Sequence, residues 1–350
     1  MKNAGGGYRV AMVGSSSFLG KELLAQLEER RFPVRRLVTF DDELEEPELP
    51  IVDLAGGEPR AVAAESVGPG DLDFAFVAAP VGRLPGFLQR LDEKGWASQG
   101  SKCSVIDLSG RLRPSKEAPV RIPRLERAGQ GGATGAISAQ PSISISPHGA
   151  TIALSFALLR LAAQFEIERI TAHVFCPASE LGARAIDELQ KQTIHLLSFQ
   201  KIPEEIYGGQ LAFNLLPRRA GREHPNLEDR LRRELEAYLS GRAPMPSLRT
   251  MQAPMFYSLG ISLYVEMRKT VTPAAAEAAL TGAPVKISKA AEAPPSPAGA
   301  AGGEEILLDR VRADASHPNG LWVWAAADPL RLAAVNAIET AESLGKGARL

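Results

Sequence analysis

The sequence predicts an α/β chain of two domains, the first built on a parallel sheet. Three observations carry that expectation. A short buried strand, a glycine-bounded turn and a helical run follow one another at the N-terminus, from Tyr8 to Arg30. Strand-like and helical stretches then alternate, the pattern of a doubly wound sheet. The 350 residues are 45% hydrophobic and 23% charged, an ordinary composition that can bury about two cores.

The first element, Tyr8 to Gly14, reads as a short buried strand. The turn Gly14, Ser15, Ser16, Ser17, Phe18, Leu19, Gly20 follows, and Lys21 to Arg30 has helical periodicity through Leu23, Leu24 and Leu27. This is the context of a dinucleotide fingerprint in a Rossmann-like domain. Gly14 and Gly20 sit where the tight turn and the close helix packing need them. Ser17 stands at the middle glycine, where a side chain crowds a pyrophosphate. The second strand, Val34 to Phe40, ends at Asp41 and Asp42. An acid there suits the ribose 2′-hydroxyl of NAD and repels the 2′-phosphate of NADP. The cofactor expectation is therefore NAD or NADP with a preference for NAD, or no bound dinucleotide; an ordinary acidic loop is the alternative reading of Asp41 to Glu48.

Further strands are expected at Ile51 to Leu54, Phe74 to Ala79 and Ser104 to Leu108, with a helix at Leu84 to Lys94. The loops from Ala78 to Gly82 and from Asp107 to Arg111 would face a ligand. The apolar run Ala136 to Ile145 leads into Ser146, Pro147, His148, Gly149, Ala150 and Thr151, a strand-to-helix turn, and a helix to about Phe165. Such a turn is where α/β enzymes often place a nucleophile, because a helix N-terminus favours negative charge. Here the position holds Gly149. Strands are expected at Ile167 to Phe175, Gln252 to Glu266 and Leu321 to Ala327. Helices are expected at Ser179 to Leu197, Arg230 to Leu239, Pro273 to Leu280 and Leu330 to Leu344. Ala290 to Gly303 reads as a loop or insert.

A net charge of −1 gives no case for nucleic acid, and no apolar run is long enough for a membrane span. Cys103 and Cys176 make neither a disulfide framework nor a zinc set, and fit a cytoplasmic location. No set of residues has metal-ligand spacing. His148 could act as a base or cap its helix, and Cys176 could be a relocated thiol or inert packing.

The order of motifs resembles the aspartate-semialdehyde dehydrogenase family. The resemblance runs through Gly14 to Gly20, then Asp107-Leu108-Ser109 leading to Arg113, then Ser146 to Thr151. It continues in Asp187-Glu188-Leu189 with Gln192-Thr193, in Ala212-Phe213-Asn214 with Pro217, and in Pro254 with Phe256-Tyr257. It ends in Ala327-Asp328-Pro329-Leu330, Ala333-Ala334 and Asn336, and Gln252-Ala253-Pro254 is similar to the Usg group within that family. The resemblance implies a dinucleotide-binding domain at 1–135, to which 326–350 return. It implies a catalytic-type dimerisation domain, with a mostly antiparallel sheet, at 136–325. It also implies a homodimer, with a mixed oligomer with an active paralogue as an alternative.

By the same resemblance, the nucleophilic cysteine is replaced by Gly149, the orienting glutamine by Cys176, the carboxylate-gripping arginine by Gln252 and the acid/base histidine by Leu259. Pro329 stands for an asparagine near the nicotinamide. Arg113, Arg230 and Glu228 keep chemistry suited to substrate binding. These departures lead to the expectation of a homologue that has lost catalysis and has a binding, regulatory or structural role. The alternative is an active NAD(P)-dependent oxidoreductase of amino-acid biosynthesis.

Overall fold

The computed structural model describes residues 7–41, 48–52, 60–63, 71–78, 103–129, 143–218, 226–289 and 292–347. They fall into two compact units. The first lies within Met1–Pro147 and Ala333–Leu350, the second within His148–Gly221 and Asn226–Leu332. Asp42, Ala79 to Gly82, Leu84 to Lys94 and Ala136 to Ser142 carried expectations that lie outside the described residues.

The first unit holds a seven-stranded sheet of β1 (Tyr8–Val13), β2 (Val34–Phe40), β3 (Glu48–Val52), β4 (Arg60–Ala63), β5 (Phe74–Val77), β6 (Ser104–Asp107) and β7 (Ile143–Ile145). Its order is β4-β3-β2-β1-β5-β6-β7. The five strands from β2 to β7 in that order are parallel, and β3 and β4 add an antiparallel edge. Val10, Ala11, Met12 and Val13 are all fully buried, as a central parallel strand covered on both faces requires. Leu23 and Leu27 of the helix Phe18–Glu29 pack with them. So do Ala333, Ala334, Ala337, Ile338, Ala341 and Leu344 of the last helix, Pro329–Gly347. Gly345 lets that helix approach Tyr8, since a Cβ there would lie 2.4 Å from the phenol oxygen.

The second unit is built on an eight-stranded sheet. Its strands are β8 (Ile167–Cys176), β9 (Leu216–Pro217), β10 (Ser247–Gln252), β11 (Leu259–Met267), β12 (Val285–Ile287), β13 (Ile306–Leu308), β14 (Arg312–Ala313) and β15 (Gly320–Ala327). Only the β8–β10 and β12–β13 pairs are parallel, so the sheet is mixed and mostly antiparallel. The helix Gly149–Ala162 is buried nearly all round, which explains its weak amphipathicity.

Two elements differ from the sequence expectation. The run Gln252 to Glu266 is not one strand: β10 ends at Gln252 and β11 begins at Leu259. The chain reverses between them through Ser258, which adopts a left-handed φ of 61°. The helix expected from Ser179 is a 3-10 turn, Ala178–Leu181, followed by a separate helix, Ala183–Leu197. Gly182 divides them at φ 91°, a conformation that costs glycine little. The Ala290 to Gly303 stretch also contains a short helix, Pro297–Ala300, capped by Ser296.

Candidate functional site

In the first unit the glycine turn is tied to its own surroundings. Gly14 has φ 80°, and its N–H donates to the Phe40 carbonyl at 2.7 Å. A Cβ on Gly20 would lie 2.1 Å from the Gly14 oxygen, so this glycine is required by close approach. Ser17 Oγ donates to the Gly14 carbonyl at 2.7 Å and accepts from the Gly20 N–H at 3.0 Å, so its side chain caps the helix. Asp41 also lies against the turn. Its Oδ1 accepts from the Ser16 N–H at 2.9 Å and from Ser16 Oγ at 2.8 Å, and its Oδ2 accepts from Ser15 Oγ. As arranged, the Asp41 carboxylate already holds the Ser15 and Ser16 donors. Phe18 and Leu19 lie in the first turn of the helix and are partly buried. Arg113, also in this unit, is exposed.

In the second unit the strand-to-helix turn is packed shut around Gly149. A Cβ at this position would lie 2.3 Å from Pro329 Cα and 2.6 Å from the Pro329 oxygen. Both obstacles are backbone atoms, which cannot swing aside as a side-chain tip can. Beside Gly149, His148 caps the helix: its Nδ1 accepts from the Ala150 N–H at 3.1 Å. Its Nε2 lies 3.0 Å from Glu180 Oε1. The ring is thus held between the Ala150 N–H and the Glu180 carboxylate. Glu180 Oε2 meets Arg218 Nη1 at 2.5 Å. Burial alone would raise the Glu180 carboxyl, but the His148 ring and the Arg218 guanidinium outweigh it and hold it down to about 2.

Cys176 is fully buried at the end of β8, next to Glu180 and Arg218. Burial, reinforced by the Glu180 charge, pushes its thiol up to about 12, so the nucleophilic thiolate is suppressed. Gln252 is the register partner of Cys176 and donates through Nε2 to the Cys176 carbonyl at 2.9 Å. Leu259, at the start of β11, has no exposed surface and pairs with Ala327.

The remaining expected residues are taken up by the scaffold. Glu228 accepts from the Thr250 N–H at 2.8 Å. Arg230 donates to Glu234 Oε1 at 2.8 Å. Glu234, which the sequence did not single out, accepts from the His148 N–H at 2.9 Å and from Thr151 Oγ1 at 2.6 Å. It places a carboxylate at the N-terminus of the helix Gly149–Ala162, where an incoming anion would otherwise be favoured. The signal that could have found it is its i+4 spacing from Arg230 on a predicted helix. Nothing comparable flags Glu180, whose partners lie 32 and 38 residues away. Among the described residues there is no group of three or more metal-ligating side chains. None of the helices among the described residues is long and apolar enough to cross a membrane.

Comparison with known proteins places these features in context. Residues 9–130 match the family model described as the semialdehyde dehydrogenase NAD binding domain. Residues 158–332 match the one described as the semialdehyde dehydrogenase dimerisation domain. The chain is 28% identical to a USG-1 protein homolog of Pseudomonas aeruginosa, covering 96% of this chain and 97% of that one. It is 29% identical to an aspartate-semialdehyde dehydrogenase of Aquifex aeolicus, covering 97% and 98%. A solved structure of a probable aspartate-semialdehyde dehydrogenase from Pseudomonas aeruginosa superposes with a TM-score of 0.82 at 27% identity, covering 98% of this chain and 99% of that one.

Proposed function

Starting from the premise that this chain belongs to the semialdehyde dehydrogenase family, we propose that it is a Usg-like member without catalysis, serving as a binding, regulatory or structural subunit. The observation that carries this reading is the packing of Gly149 on the Pro329 backbone. Covalent catalysis of the family's type needs a thiolate at that turn. Here the side chain is missing and so is the room for one. The candidates for replacement chemistry support the same reading: the Cys176 thiol is buried with its thiolate disfavoured, and His148 is held between the Ala150 N–H and the Glu180 carboxylate. Gln252 carries no charge to neutralise a substrate carboxylate, and Leu259 cannot move a proton.

In this reading the protein acts in the cytoplasm as a homodimer, with no nucleic-acid or membrane partner; a mixed oligomer with an active paralogue is its alternative assembly. Support for the homodimer comes from the second unit's sheet. Its outer face carries Phe175, Tyr264, Trp322 and Trp324, with Tyr264 and Trp322 rings 4.7 Å apart and Trp322 41% exposed. Aromatic surface of this kind is what a self-association face presents. Any dinucleotide bound is NAD in preference to NADP.

The test is an intact-mass measurement after incubation with aspartate semialdehyde, phosphate and either dinucleotide. The reading expects an unmodified chain. An acyl or thiohemiacetal adduct that disappears in Cys176→Ser would refute it.

A further inference from the structure

The outer face of the second unit's sheet carries an ionisable ring near its middle. From Ile170 to Cys176 the residues of β8 alternate. Ile170, Ala172, Val174 and Cys176 are buried, while Thr171, His173 and Phe175 are partly exposed on the opposite face. Strand register sets the neighbours of His173 there. Arg249 of β10 lies beside it on one side and Ser262 of β11 on the other, with Trp324 of β15 beyond Ser262. One adjoining row holds Phe175 and Met251, and the other holds Thr171, Tyr264 and Trp322. His173 thus sits among the aromatic side chains of the proposed self-association face. The ionisable groups facing it are Arg249 on β10, 4.0 Å from Glu228, and the Tyr264 phenol on β11. Two rows away, Glu266 meets Arg169 at 3.8 Å and His317 at 3.6 Å.

We infer that His173 makes self-association through this sheet face proton-dependent: copies pair while the imidazole is neutral and separate when it is charged. The inference rests on the homodimer reading and adds a regulation to it. Pairing two such faces takes His173 out of water, and desolvation disfavours an imidazolium. Arg249, one strand away, adds a like charge that a covered face screens less, and Glu228 offsets part of it. Tyr264 stays neutral here, since desolvation and the nearby Asp314 carboxylate raise its phenol further. Glu266 is shared by Arg169 and His317 and lies too far along the strand to pair with His173. The ring is therefore harder to protonate in the dimer than in the separated chain. Affinity is full where the separated chain's ring is neutral. It falls as the pH drops through the range in which histidines gain their proton, about pH 7 to 5. One ring from each copy takes part, so the limiting slope is about a hundred-fold in dissociation constant per pH unit.

The experiment is sedimentation equilibrium of the full-length protein between pH 8 and pH 5.5. It compares the unmodified chain, His173→Gln, His317→Gln and Trp322→Glu. Far-ultraviolet circular dichroism at each pH checks that the fold is kept. The unmodified chain should be dimeric at pH 8, and its dissociation constant should rise by about ten-fold or more by pH 5.5. His173→Gln keeps a polar side chain without the charge, and its constant should vary by less than about three-fold over the same range. His173→Asn repeats the test should His173→Gln fail to fold. His317→Gln should keep the full swing. A constant that stays within about three-fold in the unmodified chain, or a full swing retained by His173→Gln, would overturn the inference and leave the dimer standing. A swing lost in His317→Gln and kept in His173→Gln would move the proton to the Glu266 end of the face, and would overturn it likewise. A chain that is monomeric at every pH, or a Trp322→Glu variant that stays dimeric at pH 8, would overturn the homodimer reading of this face and the inference with it.

Discussion

At the scale of single residues, Gly149 and Cys176 make opposite demands. Gly149 must stay small: any side chain forces its Cβ into the Pro329 backbone, 2.3 Å from the Cα. Gly149→Ala should lower stability by about 1–3 kcal/mol, the range of overpacking, in urea unfolding. An unchanged midpoint would show that Pro329 yields. Gly149→Cys should destabilise similarly and gain no turnover, since the space for a thiol is already filled. Cys176 is buried with its thiol pushed up to about 12, and Cys103 is buried likewise. Neither should react with a thiol-specific disulfide reagent at pH 8 in the native protein, while both should react once it is unfolded. Fast reaction of one thiol under native conditions would contradict the burial described for it. The absence of a nucleophile at position 149 was readable from the residue itself. That the backbone of Pro329, 180 residues later, closes the space was not readable, because no local pattern reports a long-range backbone contact.

At the scale of elements, the turn entering the helix Gly149–Ala162 is stabilised by two internal carboxylates, Glu234 directly and Glu180 through His148. Glu234 is buried, and Glu234→Ala leaves the Thr151 hydroxyl and the His148 N–H without their acceptor. It should cost about 2–4 kcal/mol, measurable by denaturant unfolding. A loss below about 0.5 kcal/mol would remove Glu234 from this role. Glu180 gives a pH signature. Its folded carboxyl titrates at about 2 against an ordinary 4.5. The stability it contributes is therefore present above about pH 4.5 and is lost as the pH falls through about 2. The amount is on the order of 3 kcal/mol. Glu180→Gln should flatten the acid limb of the stability curve between those values. An acid limb identical in both proteins would mean that the buried pair does not govern it.

The elements themselves were largely legible. Apolar runs located β1, β2, β5, β6, β8 and β15, and Pro273–Leu280 was read to the residue because Thr272 and Pro273 mark its start. The two misread stretches share a cause. Apolar periodicity runs across Ser258 and Gly182, while the backbone at both turns left-handed, which hydrophobic pattern does not encode. Buried polar staples were illegible for a similar reason. Gln192 holds the carbonyls of Pro203 and Gly209 and the N–H groups of Leu211 and Ala212, contacts that only the folded chain brings together.

At the scale of the whole molecule, the sheet order and the two family matches agree on a semialdehyde dehydrogenase fold. A fold of this kind fixes neither ligand nor activity, which reside in the site grafted onto it. The proposed homodimer would associate through the aromatic face of the second sheet. Trp322→Glu should convert a dimer to a monomer in sedimentation analysis, since a charge buried at such a face is strongly disfavoured. A variant that remains dimeric would place the association surface elsewhere. The central claim concerns chemistry, and one assay addresses it directly: phosphate-dependent reduction of NAD and of NADP by the purified protein with aspartate semialdehyde. The account predicts no turnover above a control without protein, because Gly149 offers no thiolate and neither the buried Cys176 nor His148, held between the Ala150 N–H and Glu180, replaces it. Turnover above that control, abolished by Cys176→Ser or His148→Ala, would contradict the account.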